Sequence, residues 1–257
     1  MFRVAAAGDL HVGVDSEGQL RASLEALADE ADVLLLAGDL TKRGELAEAA
    51  VLAEELRGVA VPVVAVLGNH DYESDQQGPL TQRLADVGVS VLEGSATVLK
   101  VGGGRLGVAG GKGFAGGFVG ACATAFGEPE MKAFVNSATR AASALEAAAG
   151  SVDADACVLL LHYAPIRGTL HGEDPELYPM LGSYLFAEVA DRRGVDLVVH
   201  GHAHGGTEKG ATPSGIPVRN VAQPVLRRPY AVYGIDVAAR GSADRGEEVG
   251  ASTSSGV

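Results

Sequence analysis

The chain has 257 residues, a hydrophobic share of 47% and a formal net charge of -13, which is length enough for one large domain around a substantial core. The acidic balance repels polyanions and no basic stripe offsets it, so nucleic acid is not an expected partner. A small anionic substrate stays admissible, because bound divalent cations can reverse the field inside one pocket.

In chain order, apolar runs at 2–7, 32–37, 61–67, 105–109, 156–161 and 195–200 have strand length, and several are rich in valine. Between the early runs lie helical patterns at 19–30, 44–57 and 79–87, an alternation that predicts parallel βαβ units. From Val89 onward strand-like segments at 89–92, 96–101 and 105–109 are joined by glycine turns such as Gly102-Gly103-Gly104, which predicts antiparallel pairing and a second sheet. The stretch from Gly110 to Gly120 sets Lys112, Phe114 and Phe118 among glycines and reads as a loop near the site. A helix is predicted over 128–149 from its Glu128-Pro129 start, another over 181–193 ending at Gly194, and closing strands at 216–221 and 230–237. The tail, 241–257, is rich in Gly, Ser and charge without apolar periodicity and reads as disordered.

Nothing approaches the roughly 18 uninterrupted apolar residues that span a bilayer, so no membrane partner is expected. The start, Met1 to Ala7, lacks a lysine-rich segment, and Asp9 interrupts it before a signal-peptide core can form. Cys122 and Cys157 match no zinc or redox spacing and read as buried thiols. A cytoplasmic location is the expectation.

Five strings hold most of the metal-binding side chains: Gly8-Asp9-Leu10-His11, Gly38-Asp39, Gly68-Asn69-His70-Asp71, His162, and Gly201-His202-Ala203-His204. Of the seven histidines only His171 and His200 fall outside them. Carboxylate, imidazole and amide oxygen together suit Mn, Fe or Zn, whereas structural zinc favours thiolates and calcium or magnesium favours oxygen. Asp9, Asp39 and Asn69 recur at thirty-residue intervals, as successive βα units would deliver them to the carboxyl edge of a parallel sheet. Singly, a Gly-Asp after a strand is more often a turn, and His162 behind three leucines is more often a core histidine. Five such strings in order are another matter. His200, at the end of an apolar run, reads as a buried or supporting residue.

These strings resemble the calcineurin-like metallophosphoesterase family, whose pattern GDxH, GD, GNH[D/E], H and GHxH occurs complete and in order over residues 4–205. The resemblance implies a four-layer α/β/β/α sandwich of two mixed sheets flanked by helices, with 1–240 as the metallophosphoesterase domain. It implies two divalent transition metal ions, one held by Asp9, His11, Asp39 and His204, the other by Asp39, Asn69, His162 and His202, with Asp39 shared. It implies hydrolysis of a phosphodiester or phosphomonoester by a hydroxide formed from water between the two ions, whose pKa metal binding lowers toward about 7. His70 would approach the phosphate or leaving oxygen, and Asp71 would orient its ring.

On the substrate side, 163–182 follows His162 and is expected to form a wall of the pocket, with Arg167 and His171 as candidate phosphate contacts beside Asn69 and His70. Lys112 is a further candidate, and Phe114, Phe118 and Tyr163 are candidates for stacking on a base. Thr41 to Gly44 extend the second string into a GDLTxxG form similar to the family's cyclic-nucleotide phosphodiesterase-like branch, which points toward diesters and brings nucleotides among the candidate substrates. The alternatives are a nuclease of the same fold, which would need a basic groove, and a catalytically inactive protein-binding scaffold, which would typically lack ligands present here.

Overall fold

Valine, leucine and alanine fill both faces of the early strands, the composition a sheet covered on both sides requires. The structure, a computed structural model, describes residues 1–236, so the tail predicted as disordered lies outside the described residues. Strand β1 (Phe2–Ala7) is buried except at Arg3. Two four-residue helical turns follow, α1 (Arg21–Leu24) and α2 (Leu27–Glu30), in place of the single helix expected over 19–30. They bury Leu24 and Leu27, and the buried carboxylate of Glu55 anchors the segment by accepting the N–H groups of Gly18, Leu20 and Arg21 at 2.6, 2.9 and 2.8 Å.

The chain continues through β2 (Val33–Ala37), α3 (Leu46–Leu56), β3 (Val63–Val66), α4 (Gln77–Ala85) and β4 (Val89–Val91). Helix α3 begins in a capping box: the Glu45 and Glu48 side chains each accept a backbone N–H of the other's turn. Strands β5 (Ser95–Val101) and β6 (Gly104–Gly111) pair antiparallel across Gly102 and Gly103, both at positive φ as a tight turn requires. Gly110 and Gly111 therefore extend a strand rather than open a loop. Beyond them β7 (Gly117–Phe118) and β8 (Ala121–Cys122) make a small hairpin that leaves Cys122 exposed, contrary to the expectation of a buried thiol. Cys157 is buried as expected.

Helix α5 (Pro129–Gly150) leads to β9 (Ala156–Leu161), and α6 (Tyr178–Leu181) and α7 (Leu185–Arg193) lead to β10 (Leu197–His200). Gly194 ends α7 in the left-handed region at φ 59°, where a side chain would be strained. Last come β11 (Lys209–Ala211), β12 (Pro217–Asn220), α8 (Gln223–Leu226) and β13 (Ala231–Ile235), of which β11 and α8 carry no clear sequence signal.

The first sheet runs β13-β1-β2-β3-β4, parallel except at β13, and the second runs β11-β12-β10-β9-β6-β5, parallel in its centre with antiparallel edges. Strand alternation divides the apolar residues between two faces. Val4, Ala6, Leu35 and Val64 meet Leu106, Val108, Val158 and Leu160 between the sheets. Ala5, Leu34, Leu36 and Ala65 face outward to α3 and α4, while Leu159, Leu161 and Val198 face α5 and α7. The result is the four-layer α/β/β/α sandwich. Each leucine of the inter-sheet layer contributes about 1.5–3 kcal/mol by leaving water.

One seam positions the site. Gly8, just past β1, donates its N–H to the carbonyl of Val221 at 2.9 Å and accepts from the N–H of Gln223 at 3.0 Å. The carboxyl ends of both parallel arrays are thereby sewn to one edge, the edge at which open α/β sheets carry their ligands.

Candidate metal centre

Each sequence string begins where a strand of that edge ends. Asp9 follows β1, Asp39 follows β2, Asn69 follows β3, His162 follows β9, and His202 with His204 follow β10. The chain must turn sharply to aim side chains back across the edge. Among the described residues six non-glycine residues have positive φ, and Asp9, His11, Asp39 and His202 account for four, at 56°, 45°, 48° and 69°. Left-handed backbone costs an ordinary residue about 1–2 kcal/mol, and here it collects on the chemistry-bearing residues.

Glycines in the strings leave the room these turns need. A Cβ on Gly68 would strike the Asp39 carboxylate, one on Gly201 would strike the Asp9 carboxylate, and one on Gly38 would sit 2.6 Å from His162 Nδ1. The recurring Gly-Asp, Gly-Asn and Gly-His pairs are thus steric requirements of the cluster itself.

Three sets of donor atoms each lie within 4.8 Å of one another: Asp9, His11 and His204; His11, Asp39 and His70; Asp39, His162 and His202. Asp9 and Asp39 are 3% and 1% exposed, whereas the His70 and His204 side chains are 41% and 44% exposed, so the carboxylates form a floor and these two rings an open rim. Asp9 accepts the His202 N–H at 2.9 Å and a bond from His204 Nε2 at 2.9 Å, and Asp39 accepts the His70 N–H at 2.9 Å.

His162 shows most directly why a cation fits. Its Nδ1–H donates to the carbonyl of Ala37 at 2.9 Å, which in the neutral ring leaves Nε2 as a lone pair. That lone pair faces Asn69 Oδ1 at 3.0 Å and Asp39 Oδ1 at 3.4 Å. Three acceptors converge without a proton between them, an arrangement a divalent cation resolves.

The electrostatics also favour ligation. Burial pushes His202 down to about 3 and keeps its ring neutral, as a ligand must be. Burial likewise lowers His11. Burial pushes the Asp9 carboxyl up, but the His204 hydrogen bond and charge and the His202 N–H together hold it below its ordinary value. The Asp9 hydrogen bond in turn raises His204, so a proton must leave that ring before a metal can take it.

His70 lies on the rim with Nε2 3.9 Å from Asp39 Oδ2 and its ring 4.7 Å from that of His11. Its ring is oriented by Nδ1–H donating to the carbonyl of Lys42 at 2.9 Å, and not by Asp71 as expected. Asp71 is engaged elsewhere: wholly buried, it accepts Leu40 N–H at 3.1 Å, Thr41 N–H at 2.8 Å, the Thr41 hydroxyl at 2.6 Å and Gly68 N–H at 2.8 Å. It ties the Asp39 loop to the Asn69 turn. Thr41 Oγ1 also accepts Gly44 N–H at 3.0 Å, and a Cβ on Gly44 would strike the carbonyl of Asp71. Thr41 and Gly44 of GDLTxxG therefore serve this buried tie.

The remaining candidates spread out. Arg167 opens a one-turn 3-10 helix (Arg167–Leu170) and lines a separate cavity of about 410 Å³ with Phe118, Ile166 and Tyr184. His171 is exposed on a loop whose Gly172 packs against Gly205. His200 is fully buried, donating from Nδ1 to the carbonyl of Gly201 at 2.7 Å and accepting the Thr169 hydroxyl at 2.8 Å, with burial lowering it to about 4. It supports the turn that carries His202. Phe114 packs on Phe134, ring centroids 5.3 Å apart, and Tyr163 lies over His202 at 4.3 Å.

A sandwich of two mixed sheets whose joined carboxyl edges gather aspartates and histidines defines a class of metal-dependent hydrolase folds. The sequence matches the family described as calcineurin-like phosphoesterase over residues 2–206, and the chain belongs to that family. A search of curated protein sequences finds no match. Among solved structures it is similar to phosphopantetheinyl hydrolase from Mycobacterium tuberculosis, at 16% identity and TM-score 0.65, covering 93% of this chain and 98% of that one. It is also similar to TT1561 of Thermus thermophilus, at 16% identity and TM-score 0.53, covering 91% and 99%. A third, GAP50, described as the anchor in the inner membrane complex of Plasmodium, shares 12% identity at TM-score 0.53 and covers 87% and 72%. At these identities the likeness speaks to fold, and a fold is not a function. Among the described residues no helix is long and apolar enough to cross a membrane.

Proposed function

We propose that the chain is a two-metal phosphoesterase acting on a small phosphate ester. One ion is held by Asp9, His11, Asp39 and His204, the other by Asp39, Asn69, His162 and His202. The observation that carries this reading is the convergence of lone pairs at His162 Nε2, Asn69 Oδ1 and Asp39 Oδ1, beside a second carboxylate and histidine group on the same edge. When bound, the two divalent ions supply Lewis-acid grip on phosphoryl oxygens and activation of water.

The chain's own groups do the rest. Asp39, fixed by the His70 N–H, shares its carboxylate between the two positions, and Asp9 is fixed likewise by the His202 N–H. His70 keeps Nε2 toward the cluster because its Nδ1–H is committed to the Lys42 carbonyl; only with the ring doubly protonated does Nε2 carry a proton it can offer to a phosphate or leaving oxygen. Among the described residues, no Cys stands in these donor groups as a covalent nucleophile. Arg167, on its separate cavity, and His171, on its exposed loop, stand apart from this geometry and carry no role in this proposal.

The test is hydrolysis of p-nitrophenyl phosphate and bis(p-nitrophenyl) phosphate with added Mn²⁺, with and without chelator. Chelator-sensitive release of nitrophenol is expected. Turnover indifferent to chelator, or none at all with metal bound, would overturn the reading.

A further inference from the structure

Lys112 lies between β6 and β7, and its backbone carbonyl accepts the N–H groups of both His162 and Tyr163 at 3.1 Å. Its side chain enters a cage of three rings, with Nζ 5.0 Å from the centroid of Tyr72, 5.2 Å from Phe114 and 5.4 Å from Tyr163. Two of these rings adjoin cluster residues in sequence: Tyr72 follows His70-Asp71 and Tyr163 follows His162. Tyr163 also lies over His202, so the cage borders the side of the centre made by Asn69, His162 and His202.

A half-buried ammonium ordinarily finds a carboxylate. Among the described residues this one has no ion pair and no hydrogen-bond acceptor. The nearby carboxylate of Glu93 accepts the Tyr72 hydroxyl at 3.2 Å instead. Burial pushes the Lys112 ammonium down from its ordinary value, with Glu93 and Asp39 opposing, so the shared carboxylate of the centre is within its electrostatic reach. Three aromatic faces hold a cation in place while leaving its N–H donors for something absent from the chain.

We propose that Lys112 is a specificity-determining residue that favours phosphomonoesters over phosphodiesters at this centre. The proposal rests on the two-metal reading above. A monoester dianion carries three non-bridging oxygens. Two bound ions would engage at most two of them, and the third, which in a diester carries the second ester substituent, would be left for a fixed cation. Lys112 supplies that cation, and the charge-assisted hydrogen bond it forms is lost when the oxygen is esterified.

The test compares the wild type with Lys112→Met, which keeps the stem against the three rings, and Lys112→Arg, which keeps the charge. Two quantities are read on the manganese-loaded proteins: kcat/KM for p-nitrophenyl phosphate against bis(p-nitrophenyl) phosphate, and the affinity for inorganic phosphate by calorimetry. For Lys112→Met we expect a loss of about 10- to 100-fold on the monoester and in phosphate affinity, and less than about threefold on the diester, the scale of one hydrogen bond to a charged group. Lys112→Arg should recover most of the loss. An unchanged monoester-to-diester ratio overturns the proposal whatever the size of a common loss, since a merely structural lysine would affect both esters alike. If the wild type turns over neither ester, the two-metal reading fails by itself, and the calorimetry still decides: unchanged phosphate affinity in Lys112→Met overturns the role of Lys112.

Discussion

Thr41→Val would separate a scaffold role from a substrate role. The Thr41 side chain is wholly buried, and its hydroxyl both donates to Asp71 at 2.6 Å and accepts from Gly44 at 3.0 Å. Valine keeps the shape and removes both bonds. Losing a hydrogen bond to a buried carboxylate costs about 1.5–3 kcal/mol, and leaving a buried N–H without its acceptor costs about 1–3 kcal/mol. Together these place the destabilisation at about 2.5–6 kcal/mol, a large share of a typical domain's stability. The chain has no tryptophan, so urea unfolding is best followed by circular dichroism on metal-free protein. The expected result is a lowered midpoint at unchanged slope, with the monoester-to-diester ratio of the surviving enzyme unaltered. Thr41→Ser, which keeps the hydroxyl, should lose only about 1 kcal/mol. A shift of the ester ratio in Thr41→Val with stability within about 0.5 kcal/mol of wild type would refute this reasoning and return Thr41 to substrate recognition.

Further outcomes follow from the same geometry. His70→Ala should keep both metals while slowing turnover by about 10²- to 10⁴-fold, and loss of a metal would make His70 a ligand of the His11 and Asp39 group instead. Gly68→Ala forces a Cβ into the Asp39 carboxylate and should weaken metal affinity by about 10- to 100-fold, the scale of about 1–3 kcal/mol of overpacking; calorimetry with Mn²⁺ reads it, and wild-type affinity would contradict the crowding. His200 and His202, held at about 4 and about 3, are neutral in the fold and charge on unfolding, so their contribution is full above the unfolded value of about 6.5 and is lost as pH falls. His204 has the opposite sign: raised by Asp9, its contribution is full below the unfolded value and is lost as pH rises through the folded one. The His204 contribution is already full below about pH 6.5, so the two depressed histidines alone set the slope there: metal-free protein should lose about 2 kcal/mol per pH unit between about pH 6.5 and 4.5, and a urea midpoint that rises on acidification would rule this out.

The site was legible because each donor stands directly after an apolar run, and a run buried on both faces can end only at an edge. Glycine before Asp39, Asn69 and His202 was equally readable, though its reason, the space between Gly68 and Asp39 or Gly201 and Asp9, is a tertiary fact. Asp71 misled the reading because adjacency to His70 suggests contact, while a one-turn helix at His70–Tyr72 sends the two side chains to different partners. The structural part of Thr41 was hidden for a related cause: a buried hydroxyl and a substrate-reading one look alike in one dimension. The Lys112 cage draws its rings from three separate segments, so only Lys112 itself could be singled out. The break of the 19–30 helix and the short β11 and α8 are settled by packing too local for periodicity to register.

Counting metal ions tests the central claim most directly. Titration of metal-free protein with Mn²⁺, in wild type and Asp39→Asn, should give two tight ions for the wild type and a loss of tight binding at both positions when the shared carboxylate is gone. One ion or none in the wild type, or two undiminished in Asp39→Asn, would contradict a centre built around Asp39.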